Sequence, residues 1–203
     1  MKTYKTLTKA VAFALIFSFL FSFIRFESAC DDVRRNVLRL HVLANSDSEE
    51  DQALKLKVRD ELLKVGNSIF GISGDLAQAE QLVTDNLEVL QKTAQKTVNA
   101  EGYGYSVNVQ LAKTEFTTRH YADITLPAGE YDAVQVVIGE GKGQNWWCVM
   151  FPPLCVPAAK AEDLSEVVGE NGREITENHG EYVAKFKIIE VYEAIKSKFS
   201  KEK

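Results

Sequence analysis

Asn36-Val-Leu-Arg-Leu-His-Val-Leu-Ala-Asn-Ser-Asp-Ser-Glu-Glu-Asp-Gln-Ala-Leu-Lys-Leu-Lys-Val-Arg-Asp60 changes its hydrophobic period half-way along. As far as Asn45 the stretch alternates, with Leu38, Leu40 and Val42 on one face, as a half-buried strand requires. Asn45, Ser46 and Asp47 then read as helix caps, whose side chains satisfy orphan amides, and Glu49, Glu50 and Asp51 complement the positive end of a helix dipole. Beyond them Leu54, Val58, Leu62, Val65 and Ile69 recur at intervals of three and four, which gives a helix a buried stripe, while Gln52, Lys55 and Arg59 line another side. A strand running straight into a capped helix points to an α+β domain.

The remaining segments extend this pattern. A second helix is predicted from Asp75 to about Asn99, with Leu76, Ala79, Val83, Leu87, Leu90, Ala94 and Val98 facing inward and Gly102 ending it. Tyr103, Tyr105, Val107, Val109 and Leu111 alternate with Gly104, Ser106, Asn108 and Gln110, which predicts a half-buried strand. Residues 119–126 and 131–139 form two extended runs around Leu126-Pro-Ala-Gly-Glu130, a connector suited to a hairpin. Gly139-Glu-Gly-Lys-Gly143 lacks the Gly-Lys-Ser/Thr of a phosphate loop and reads as a flexible hairpin loop before a last strand holding Trp146, Trp147 and Phe151. Residues 161–180 read as a mobile surface insertion. Residues 182–199 read as a closing helix, although their first third also fits a strand. The expected fold is α+β: a mainly antiparallel sheet of about four strands packed with two central helices in the order β-α-α-β-β-β, and a C-terminal helix.

The N-terminus stands apart. Lys2, Lys5 and Lys9 precede an apolar run from Ala10 to Ile24 broken only by Ser18 and Ser22, the layout of an export signal. As a helix this run is about 22 Å long against a hydrocarbon core of roughly 30 Å, which favours a cleaved signal over an anchor, although Leu7 and Phe26 can extend it. Glu27 stands where a small residue is expected three positions before a cut, and it also unsuits Ser28-Ala29-Cys30 as a lipidation site. The domain plan is therefore residues 1–29 as signal peptide or signal anchor and residues 30–203 as a single α+β domain.

The 203-residue chain carries 24 basic and 29 acidic residues, a net charge of −5. Four of the basic residues, Lys2, Lys5, Lys9 and Arg25, lie in the N-terminal segment, so the rest is more acidic still and a poor nucleic-acid binder. In an oxidising compartment Cys148 and Cys155 can close an eight-residue ring, worth about 2.5 kcal/mol in the chain-entropy model. They can equally pack as a reduced pair, and spacing alone selects neither. Two sulfurs with His120 and His179 distant in sequence make no recognised zinc pattern, and no metal or cofactor is expected.

Two segments, Leu40 to Asp60 and Gly143-Gln-Asn-Trp-Trp-Cys-Val-Met-Phe-Pro-Pro-Leu-Cys155, together resemble the stage II sporulation protein R family, with the likeness extending from about Val37 to Ile189. The resemblance implies a signalling protein of endospore formation, secreted from the forespore into the space between its two membranes. There it would activate the membrane-embedded aspartic protease that processes pro-sigma-E in the mother cell. On that reading the partner is the extracytoplasmic part of the protease, with membrane contact through the N-terminal segment if it is uncleaved. The candidate contacts are Asn45, Asp47, Asp51, Gln52, Lys55 and Arg59, with Trp146 and Trp147 as aromatic anchors. Adjacent strand residues point to opposite faces, so one tryptophan is expected in the core and the other at the interface. The competing classes are a wall-binding protein and a wall hydrolase with Cys148 as nucleophile and His41 or His120 as base. No helix start follows Cys148 to activate it, and His41 reads as a packed strand residue.

Overall fold

The computed structural model describes residues 2–70, 75–121, 124–152, 164 and 167–201. Among the described residues five helices and six strands follow one another as α1 (Lys2–Arg34), β1 (Leu38–Leu43), α2 (Glu49–Phe70), α3 (Leu76–Ala100), β2 (Val107–Phe116), β3 (Arg119–Tyr121), β4 (Ile124–Leu126), β5 (Gly129–Ile138), β6 (Asn145–Phe151), α4 (Glu170–Glu177) and α5 (His179–Lys201). The class is the expected α+β, with a four-stranded sheet in the order β2-β5-β1-β6. Two of its three pairings are antiparallel, and the central β1–β5 pair is parallel.

The period change in the deciding stretch becomes a division between two cores. Leu38, Leu40 and Val42 point toward α2 and α3, where they meet Leu54, Val58, Leu62, Val83, Leu90 and Val98. The opposite face of the sheet packs Val33, Val37, Leu126, Tyr131, Val149 and Leu164. Asp75 caps α3 by accepting from the Gln78 amide at 2.8 Å, satisfying one of the orphan donors of the first turn.

Several expectations change. The predicted hairpin across residues 126–130 does not form: β3 pairs with β4 in a separate two-stranded sheet, and β5 pairs instead with β2 and β1. The loop 139–143 is no hairpin either, because β5 and β6 lie on either side of β1. The predicted strand at 103–111 begins later, at Val107, and reaches Phe116. Before it Tyr103 and Tyr105 stack on each other at 5.4 Å, and Gln95 of α3 donates to the Tyr105 carbonyl at 2.8 Å. Within the stretch expected to be a mobile insertion, α4 buries Ile175 and Thr176. The closing helix expected over residues 182–199 does form, helical throughout as part of α5.

The N-terminal helix reaches the body. It continues past the apolar run into the body, where Phe26, Ala29 and Cys30 pack with Ala128, Ile175, Phe186 and Ile189. Its last residue, Arg34, is buried. It contacts Asp31 at 2.7 Å, Glu27 at 3.1 Å and Glu193 of α5 at 3.6 Å, and donates through Nε to the Ala128 carbonyl at 3.0 Å. One guanidinium thus ties together α1, α5 and the turn before β5.

Candidate functional site

The two sequence motifs meet in space. Ser48, rather than Asn45 or Asp47, caps α2: its Oγ accepts from the Asp51 amide at 3.2 Å and its carbonyl from the Gln52 amide at 3.0 Å. Asn45 and Asp47 are thereby left to hold the loop between β5 and β6. Asn45 Oδ1 accepts from the Glu140 amide at 3.0 Å, and Asp47 Oδ1 from the Gln144 amide at 2.6 Å. Backbone amides of Lys142 and Gly143 donate to the carbonyls of Asn45 and Ala44 at 3.2 and 2.9 Å. The loop is laced to the start of α2 and is not a free hairpin tip.

Beneath this lacing lies a polar layer. Asp51 accepts from Asn45 Nδ2 at 2.8 Å and Ser46 Oγ at 2.6 Å. Burial alone would push its carboxyl upward, but the hydrogen bonds from Ser46, Asn45 and Tyr105 outweigh it and hold the pKa below the usual carboxylate range. Lys55 donates to Gln52 Oε1 and, at 2.8 Å, to the Gln144 carbonyl, while Gln52 Nε2 donates to the Ser46 carbonyl at 2.8 Å. Burial lowers the Lys55 pKa, against the pull of Asp47. With Asp51 and Lys55 each only 4% exposed, these two build the junction from within and offer little surface to a partner. The rim is formed by exposed Asp47 and Gln144 and by Arg59, whose guanidinium lies 4.3 Å from the centre of the half-buried Trp146 ring.

The tryptophans do point to opposite faces, but neither is fully buried. Trp146 sits on the helix side with Arg59, whereas Trp147 stacks on His41 at 4.0 Å and 10° and meets the edge of Phe116 at 4.6 Å. Under that stack lies Arg39, fully buried, which the sequence reading passed over. Its guanidinium is 4.1 Å from the Phe116 ring centre and 5.0 Å from that of Tyr131, and it donates to the Cys148 carbonyl at 3.0 Å and to Tyr121 Oη at 2.7 Å. The signal available was an arginine between Leu38 and Leu40 in a strand with apolar residues on both sides. A buried cation needs hydrogen bonds and aromatic faces around it, and the distant Phe116, Tyr121 and Tyr131 supply them.

Among the described residues the hydrolase alternative finds no assembled dyad. Cys148 is disulfide-bonded and packs with the core facing α2 and α3, while Cys155 lies outside the described residues. His41 points to the other face of the sheet, where its Nε2 is 3.0 Å from Asn145 Oδ1. His120 belongs to the small β3–β4 sheet, with Nδ1 2.8 Å from Thr125 Oγ1.

Both halves of the laced junction fall within residues 34–161, the region that matches the family model described as Stage II sporulation protein R. The chain belongs to that family. It is also 34% identical, over 166 residues, to Stage II sporulation protein R of Bacillus subtilis (strain 168), an alignment covering 82% of this chain and 70% of the relative. No solved structure gives a significant match. Family membership places the protein among those of the second stage of sporulation and gives the laced junction a sporulation context. The apolar N-terminal helix is compatible with a signal sequence or an anchor.

Proposed function

We propose that this protein is exported from the forespore into the intermembrane space, where it acts as a ligand and activates the membrane-embedded aspartic protease that processes pro-sigma-E in the mother cell. The observation that carries the reading is family membership across the region containing the junction. The apolar N-terminal helix supports export. A ligand activates only by binding the active state of its target more tightly than the inactive one, so a rigid, preformed surface suits the task.

The surface assigned to the protease is the junction rim, with Arg59 and Trp146 at its centre and Asp47 and Gln52 beside them. Stacked tryptophan and arginine are favoured anchors because they bring large contact area with few rotatable bonds left to freeze. Asn45, Asp51 and Lys55 hold that rim in shape, and Trp147 braces the opposite face.

The test is pro-sigma-E cleavage in cells coexpressing the protease and its substrate, with this chain exported to the same side of the membrane. Cleavage should depend on the chain, survive Cys148→Ser, and fall at least about tenfold with Arg59→Glu while thermal unfolding stays near that of the unaltered protein. Cleavage that does not depend on the chain would sink the proposal and return attention to wall binding.

A further inference from the structure

The export helix and the folded body are one continuous element. Helix α1 runs unbroken from Lys2 to Arg34, and its final turns are core: Phe26 and Ala29 are each 3% exposed, and Cys30 and Val33 are fully enclosed. Phe26 stacks on Tyr182 at 5.6 Å and meets Phe186 edge-on at 5.2 Å. Cleavage after Ala29 would take these contacts away, together with the Glu27 carboxylate that faces buried Arg34.

The portion before Phe26 has the opposite character. Phe13, Leu15, Phe17, Phe19, Phe21 and Ile24 are exposed, and nothing among the described residues of the body covers them. Residues 6–24 form a helical stretch of about 28 Å, close to the roughly 30 Å of a hydrocarbon core. Leu7 and the flanking turns are helical too, so the stretch is longer than the apolar run alone. Lys2, Lys5 and Lys9 lie at one end of the span and the body at the other, the charge bias that keeps an N-terminus inside.

The exit point has the composition of a membrane–water boundary. Lys185 of α5 donates to Ser22 Oγ at 3.0 Å and lies 5.6 and 5.1 Å from the ring centres of Phe26 and Tyr182. Arg25, Lys185, Tyr182 and Glu174 line a cavity of about 200 Å³ there. Two cations and an aromatic hydroxyl at the end of an apolar span match the collar that sits among lipid headgroups.

We infer that α1 is retained in the working protein as a membrane anchor, with the body seated against the outer face of the same bilayer and Arg25 and Lys185 at headgroup level. The inference rests on the export that the proposed function also assumes, but not on the identity of the activated protease. Combined with that function, it describes a ligand presented from one membrane to an enzyme embedded in the other.

The experiment is to produce the full chain in an export-competent bacterium, separate membranes from soluble material, and measure the intact mass of the product throughout a chase. The expected species has the mass of the whole 203-residue chain, stays with the membranes through alkaline extraction, and is released by detergent. A soluble product beginning at or after Phe26 would overturn the inference. A second arm compares the full chain with Phe26→Asp in detergent, where the body's unfolding temperature should fall by about 10 °C. An unchanged value would mean that α1 is no part of the core and would overturn it as well. Neither arm reads pro-sigma-E cleavage, so this inference and the activation reading can fail separately.

Discussion

A single methyl group at position 143 is enough to disturb the junction. A Cβ there would collide with the Ser46 carbonyl and come within 3.0 Å of the Ala44 side chain. Gly143→Ala is therefore expected to destabilise the protein by about 1–3 kcal/mol, read as a shift in the urea midpoint at constant slope. His41 supplies a pH-dependent counterpart. Burial pushes its pKa below the ordinary histidine value, and the hydrogen bond with Asn145 only partly opposes this. The folded protein thus holds the ring neutral while the unfolded chain protonates it near pH 6.5. Its contribution is fully present above that pH and is lost as pH falls through the lower, folded pKa. His41→Gln should flatten the fall in unfolding temperature between about pH 7 and pH 5, whereas an unchanged slope would assign the acid sensitivity elsewhere. Asn45 and Asp47 show why residue types alone mislead. Capping and loop lacing use the same side-chain oxygens, and the amides chosen, at Glu140 and Gln144, are 95 and 97 residues away.

At the scale of elements, β2 lies at the edge of the sheet, where unpaired backbone groups invite association with another strand. Two glutamines of α3 cover part of that edge. Gln91 Oε1 accepts from the Val109 amide at 2.7 Å and Gln95 Oε1 from the Val107 amide at 2.9 Å, while Gln91 Nε2 donates to the Val107 carbonyl. In a Gln91→Ala/Gln95→Ala double variant the amides of Val107 and Val109 should exchange with solvent about tenfold faster while those of β1 stay protected. Equal protection in both proteins would show that the edge does not need the glutamines. The apolar stripes of α2 and α3 were legible because each period reports a face of its own helix. The strand pairings were not, since a turn-rich connector at 126–130 suits a hairpin, yet β5 gains more by lying between two strands that pair the backbone groups on both its edges.

For the whole molecule, Cys30 reports whether α1 is docked. Burial drives its thiol pKa far above the ordinary value, so the reactive thiolate is suppressed. In detergent-solubilised full chain Cys30 should resist alkylation until the body unfolds; rapid labelling of native protein would place the end of α1 outside the core. The α+β class, the positions of α2 and α3, the terminal apolar run and the sporulation resemblance were all readable from the sequence, because period, composition and motif are local properties of the chain. Tertiary structure alone decided that Asp51, Lys55 and Arg39 point inward, that the two motifs lace into one junction, and that the apolar N-terminal helix ends inside the core. Each of those outcomes depends on which distant surface covers a residue, and local hydrophobic pattern states only that a face must be covered.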